Sequence, residues 1–164
     1  TDLGLAPEVG AYCLALIGLF NIAGSFLSGI VGSRWSKTYG LSWIYLGRAL
    51  VILGLLMAPK TALTLYVFSA LMGLLWLSTI PLTTGVLTDV FGVRYVATLY
   101  GFVFFGHQVG SFIGVYLGGV FYERYGSYDG MWWAGIVVGV LAALIHLPIS
   151  EKPLPRGVAA SAIA

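Results

Sequence analysis

Apolar residues in this chain neither alternate with period two nor gather on one helical face. They run almost unbroken through five long stretches separated by short polar connections. Residues 9–33 carry no charge, 38–59 carry only Arg48, and 61–88 carry none. In 95–122 the one ionisable group besides tyrosines is His107, and in 130–150 it is His146. Each stretch reaches the roughly 20 apolar residues needed to cross a hydrocarbon core of about 30 Å. A backbone in lipid must satisfy its own hydrogen bonds, so single runs of this length predict helices. The predicted spans are about 9–31, 41–58, 62–86, 99–121 and 131–149, within a transmembrane bundle over 1–150. Residues 151–164 form a polar tail, expected to be disordered and cytoplasmic. The fold class is an all-α membrane protein with five transmembrane helices.

Composition agrees with this pattern. Of the 164 residues, 59% are hydrophobic and 9% charged, where a soluble domain would have about a quarter charged. A net charge of +2, spread over short loops rather than gathered in a patch, is too small to suggest a nucleic-acid-binding surface. The one cysteine, Cys13, excludes an internal disulfide and reads as a packing residue of the first span. With the N-terminus outside, Arg34, Lys37, Arg94, Lys152 and Arg156 lie inside, against Lys60 and Arg124 outside. That asymmetry favours a multi-pass protein of the cytoplasmic membrane with a cytoplasmic C-terminus. The odd number of spans, the first residue Thr1 and the absence of a leader suggest a piece of something larger.

Polar residues inside the spans are the candidates for function. Gly18, Gly24, Ser25, Ser28, Gly29 and Gly32 line the first span and allow a neighbouring helix to come close. Asn21 lies near its middle and needs a partner, either another helix or a substrate. Arg48 is the sole full charge within a span. It sits about 10 Å along the helix from the inner end, so it either snorkels, meets a structural partner or anchors an anion. Pro81 predicts a kink in the third span through its clash with the Leu77 carbonyl, with Ser78, Thr79, Thr83 and Thr84 re-satisfying freed groups. Trp76 and Thr79 flank this hinge, and a broken helix is where transporters tend to hold substrate.

The fourth span carries glycines at 106, 110, 114 and 118. Residues four apart share a face, so Gly106, Gly110, Gly114 and Gly118 make a groove for another helix. His107, Gln108 and Ser111 border that groove or an aqueous cavity. Histidine changes charge near neutral pH, leaving proton coupling, substrate hydrogen bonding and a neutral structural ring as readings of His107. No Asp or Glu lies inside any span. Asp89 and Arg94 share a short inner loop and are expected to fix its shape together.

The segment Gly29, Arg34 and Lys37 resembles the cytoplasmic G-x-x-x-D-R-x-G-R-R signature of major facilitator superfamily transporters. It departs from that signature at Ser33, where an acid stands, and at Ser36, where a glycine stands. The loop with Asp89, Gly92 and Arg94, the glycines from Gly101 to Gly118, and the outer Tyr125-Gly126-Ser127-Tyr128-Asp129 are similar to bacterial relatives of the monocarboxylate porters. The resemblance covers nearly the whole chain. It implies a partial major facilitator fold, the eighth to twelfth helices of twelve, with the N-terminal transporter half as the missing partner. It also implies a secondary active transporter of a small organic solute such as a monocarboxylate, working by alternating access and not transporting alone.

Other classes are weaker. An intramembrane serine protease would need a Ser–His dyad, for which Ser25 and His107 are the sole candidates, and its strained nucleophile loop is missing. No enzyme, cofactor or metal site is expected. A non-catalytic membrane adaptor or an inert truncated gene product is the alternative. The expected partners are the lipid bilayer, the N-terminal half and a small-molecule substrate.

Overall fold

The computed structural model describes residues 5–154. They form α1 (Pro7–Arg34), α2 (Lys37–Met57), α3 (Ala62–Trp76), α4 (Thr79–Phe91), a single 3-10 turn (Val93–Tyr95), α5 (Val96–Tyr125) and α6 (Asp129–His146). With α3 and α4 taken as one broken crossing, these make five helical segments long and apolar enough to span a membrane. Helix α1 extends beyond its predicted inner end, and the connection to α2 shrinks to Trp35 and Ser36. Ser36 explains the early start of α2, because its hydroxyl accepts from the Tyr39 N–H as an N-cap. Thr61 does the same for α3, accepting from the Thr64 N–H at 3.2 Å.

The helices pack through small residues, as expected where no hydrophobic effect drives association in lipid. Gly24 of α1 lies on the Leu74 carbonyl of α3, and Gly73 of α3 lies on the Ile17 backbone of α1. Gly24, Ser28 and Gly32 recur every four residues and are the buried stripe of α1. At Gly18 and Gly29, by contrast, an added Cβ would meet nothing within 4 Å. Helix α6 lies along α2, with Gly139 against Ala49 and the Tyr45 carbonyl, and Ser42 donating to the Ala143 carbonyl at 2.8 Å. Leu82 of α4, 2% exposed, fills the space between Gly32 and Gly40. Most other large side chains, Phe26, Trp43, Phe102 and Phe112 among them, point outward. In lipid such exposure has no hydrophobic penalty.

One end of the bundle gathers the charged loops. Lys37 Nζ donates to Asp89 Oδ2 at 2.7 Å, linking α2 to α4. Asp89 therefore does not pair with Arg94, contrary to the expectation from their shared loop. Gly92, at φ 81°, turns the chain after α4, and the Arg94 guanidinium lies over the Tyr95 ring instead. Glu151 Oε1 accepts from the Thr38 N–H (2.8 Å), the Thr38 hydroxyl (2.7 Å) and the Ser36 hydroxyl (2.5 Å), while the Leu154 N–H donates to the Val90 carbonyl. The first residues of the polar tail thus strap α2 to α4; the rest of that tail, 155–164, lies outside the described residues. Partial burial alone would raise the Glu151 carboxyl, but the donors from Ser36 and Thr38 outweigh it and hold the group at about 2. At the opposite end Tyr122 stacks on Tyr128, and Trp132 meets Phe68 edge-on, the aromatic girdle expected at an interface.

Helix α5 stands apart. It contacts α4 and α6, yet none of its residues is buried. Gly106, Gly110, Gly114 and Gly118 have nothing within 4 Å of the position a Cβ would take.

Candidate functional site

The third span is not one kinked helix but two. The break falls at Leu77 and Ser78, three to four residues before Pro81, where the proline ring denies Leu77 its usual i+4 donor. Four carbonyls around such a break lose their helical partners, and in hydrocarbon each needs another. Leu74 accepts from the Ser78 hydroxyl, and Leu77 accepts from the Ile80 N–H in a tighter turn at 3.0 Å. Leu75 and Trp76 are served from α2. Arg48 donates to the Leu75 oxygen from Nε (3.1 Å) and Nη2 (2.6 Å), and from Nη2 to the Trp76 oxygen. The Thr79 hydroxyl also reaches the Trp76 carbonyl, at 3.4 Å. On the far side Asn21 Oδ1 accepts from the Leu77 N–H at 3.2 Å.

Arg48 is thus the cap of a broken helix. A positive guanidinium on the carbonyl end of α3 also opposes the negative pole of that helix. The residue is bracketed by rings, with Cζ 5.2 Å from the Tyr45 centroid and 5.8 Å from that of Trp76. Tyr45 in turn stacks on His146 at 5.1 Å, whose Nδ1 lies 2.7 Å from the Ala142 carbonyl. Nη1 of Arg48 has no hydrogen-bond partner among the described residues and is not sealed inside the protein.

Beside the break opens a cavity of about 440 Å³. Arg48 and Tyr45 line it from α2, Trp76, Thr79 and Thr83 from the broken crossing, and Tyr100, Phe104 and His107 from α5. Four of the residues singled out in the sequence, Arg48, Trp76, Thr79 and His107, therefore meet in one place. Asn21 serves the break from the other side and does not line the cavity. Gln108 and Ser111 lie on α5 outside the lining, and Arg34, Lys37, Asp89 and Arg94 belong to the charged end. Tyr45, Tyr100 and Phe104 were not anticipated. Each lies three or seven residues before Arg48 or His107, the helical spacing that places it on the same face. Two other cavities, of about 470 and 500 Å³, are lined almost wholly by apolar side chains such as Leu27, Trp43, Leu50 and Phe68. No group of three or more metal-ligating side chains is assembled among the described residues.

A bundle of long apolar helices with one polar cavity beside a broken crossing defines a multi-pass helical membrane protein. The family comparison is more specific. The profile of the Major Facilitator Superfamily matches residues 1–162, and the chain belongs to that superfamily. It is 31% identical over 148 residues to an uncharacterized MFS-type transporter, YcxA, of Bacillus subtilis (strain 168). That match covers 85% of this chain and 36% of the relative, so the chain spans about a third of the relative's length. No solved structure gives a significant match.

Proposed function

We propose that this chain is the eighth to twelfth helices of a secondary transporter that moves a small organic anion, a monocarboxylate for preference, across the cytoplasmic membrane. The observation that carries the reading is Arg48: a cation with an unspent donor on a cavity beside a broken helix. Membership of the superfamily and coverage of only part of the relative support a polypeptide with an opposing N-terminal half. Alternating access would then rock the two halves around the cavity. The glycine ridge of α5, open in this chain, supplies a surface close enough for a helix of that half. The N-terminus lies outside and the C-terminus in the cytoplasm, which puts the charged end carrying Arg34, Lys37 and Arg94 on the inner face.

The test is uptake of labelled monocarboxylates into vesicles. The native polypeptide, detected by an antibody to the 150–157 segment, should run at more than twice the size of this 17.5 kDa chain and support uptake. Vesicles holding only these 164 residues should not. Uptake by the short chain alone would overturn the half-transporter reading.

A further inference from the structure

The lining of the cavity says more about its occupant than its charge does. Tyr45, Trp76, Tyr100, Phe104 and His107 contribute five planar rings, while the polar groups of the lining side chains besides Arg48 are neutral or weakly basic: the hydroxyls of Thr79, Thr83, Tyr45 and Tyr100, the Trp76 indole N–H and the His107 imidazole. We infer that the preferred ligand is a monocarboxylate bearing an aromatic ring, its carboxylate on Arg48 and its ring among Trp76, Tyr100 and Phe104. This rests on the anion reading above and deepens it.

Three observations point the same way. Arg48 spends Nε and Nη2 on the Leu75 and Trp76 carbonyls, so Nη1 alone remains for a ligand. A single free nitrogen suits one carboxylate and is poorly matched to a phosphate or a dicarboxylate, which recruit the whole guanidinium fork or several cations. No Asp or Glu of this chain lies within the predicted spans 9–31, 41–58, 62–86, 99–121 and 131–149, and none lines the cavity, so no carboxylate of this chain competes there for the cation or would receive an amine. Finally, about 440 Å³ falls within the range of small-molecule sites, ample for a ring with its short acid arm. Offset or edge-on ring contacts add selectivity beyond the area they bury. For a purely aliphatic acid those faces would supply area without geometry.

The full native polypeptide in nanodiscs is tested by equilibrium binding of radiolabelled phenylacetate, displaced by acetate, phenylacetamide and phenethylamine. Phenylacetate should bind about tenfold more tightly than acetate or phenylacetamide, the ratio that ring contacts and one charged hydrogen bond supply. Phenethylamine should not compete. Trp76→Leu should weaken phenylacetate far more than acetate and bring the two to within about threefold, whereas an unfolded variant would bind neither. Equal affinity for acetate and phenylacetate, or an unaltered ratio in Trp76→Leu, overturns the aromatic preference and leaves the anion reading standing. Phenylacetamide binding as well as phenylacetate, or no displacement by any carboxylate from folded protein, overturns the anion reading itself.

Discussion

Arg48 and Leu75 are 27 residues apart, on different helices, and the guanidinium of one takes up the carbonyl that the other loses where its helix ends. That contact explains how a full charge is tolerated in the middle of a lipid-exposed chain. The charge is compensated by helix-end carbonyls and ring faces rather than by a carboxylate. Lys60 repeats the arrangement at the end of α2, where its Nζ donates to the Leu55 carbonyl.

Replacing Arg48 should therefore unsettle the break as well as any ligand. Arg48→Leu leaves the Leu75 carbonyl without a donor, a loss of about 1–3 kcal/mol for one unsatisfied buried group. Arg48→Lys should recover part of it, since one ammonium reaches fewer acceptors. Unfolding in mixed micelles by rising SDS fraction ranks the three proteins, and equal midpoints for Leu and Arg would refute the capping role.

Gly24 is the sharpest test of the helix contacts. A Cβ there would stand 1.9 Å from the Leu74 oxygen, a backbone atom that cannot swing aside. Gly24→Ala should lower stability by about 1–3 kcal/mol, the usual range for overpacking. Gly29→Ala, with open space around it, should leave the SDS midpoint unchanged or raise it slightly.

Gly110 should give opposite results in two contexts. Alone, this chain surrounds Gly110 with open space, so Gly110→Ala should be neutral or stabilising by up to about 1 kcal/mol through helix propensity. In the longer polypeptide the same change should destabilise, because a partner helix would meet the new methyl group. Equal effects in both would mean that the ridge faces lipid throughout.

Glu151 makes the charged end sensitive to acid. Its carboxyl is held at about 2, below the ordinary 4.5, so the folded state favours the ionised form. The corresponding stability is complete above pH about 4.5 and drains away as the pH falls toward about 2, where the folded-state carboxyl also takes up its proton. Melting curves from pH 6 down to pH 2, taken roughly in unit steps, should show an acid loss in the wild type that Glu151→Gln lacks. The glutamine variant should also be less stable at pH 6, having weaker acceptors for the Thr38 and Ser36 donors.

The spans were legible because lipid imposes one rule on every crossing, and the charge-free gaps state it directly. The site was legible in part for a related reason: a polar side chain in hydrocarbon has to be explained, which singled out Asn21, Arg48, Thr79 and His107. What the sequence could not supply was pairing. Pro81 announced a disturbed helix, but that Arg48 and Asn21 would serve it from two other helices depends on how α1 and α2 flank the crossing. Glu151 was hidden by composition, since a polar tail after the last span looks unstructured until its carboxylate is placed at the start of α2. Asp89 was assigned to Arg94 by proximity along the chain, whereas the packing of α4 on α2 gives it Lys37.

The tail contacts have a mechanical side. Because Glu151 is bonded to Ser36 and Thr38, and Leu154 to Val90, tension on the C-terminus reaches α2 and α4 before it reaches α6. A handle attached to that end would load α4 and α2 ahead of α6. The last crossing should resist extraction until the strap gives way, and Glu151→Ala, which leaves only the Leu154–Val90 bond, should lower the force at which α6 is drawn out.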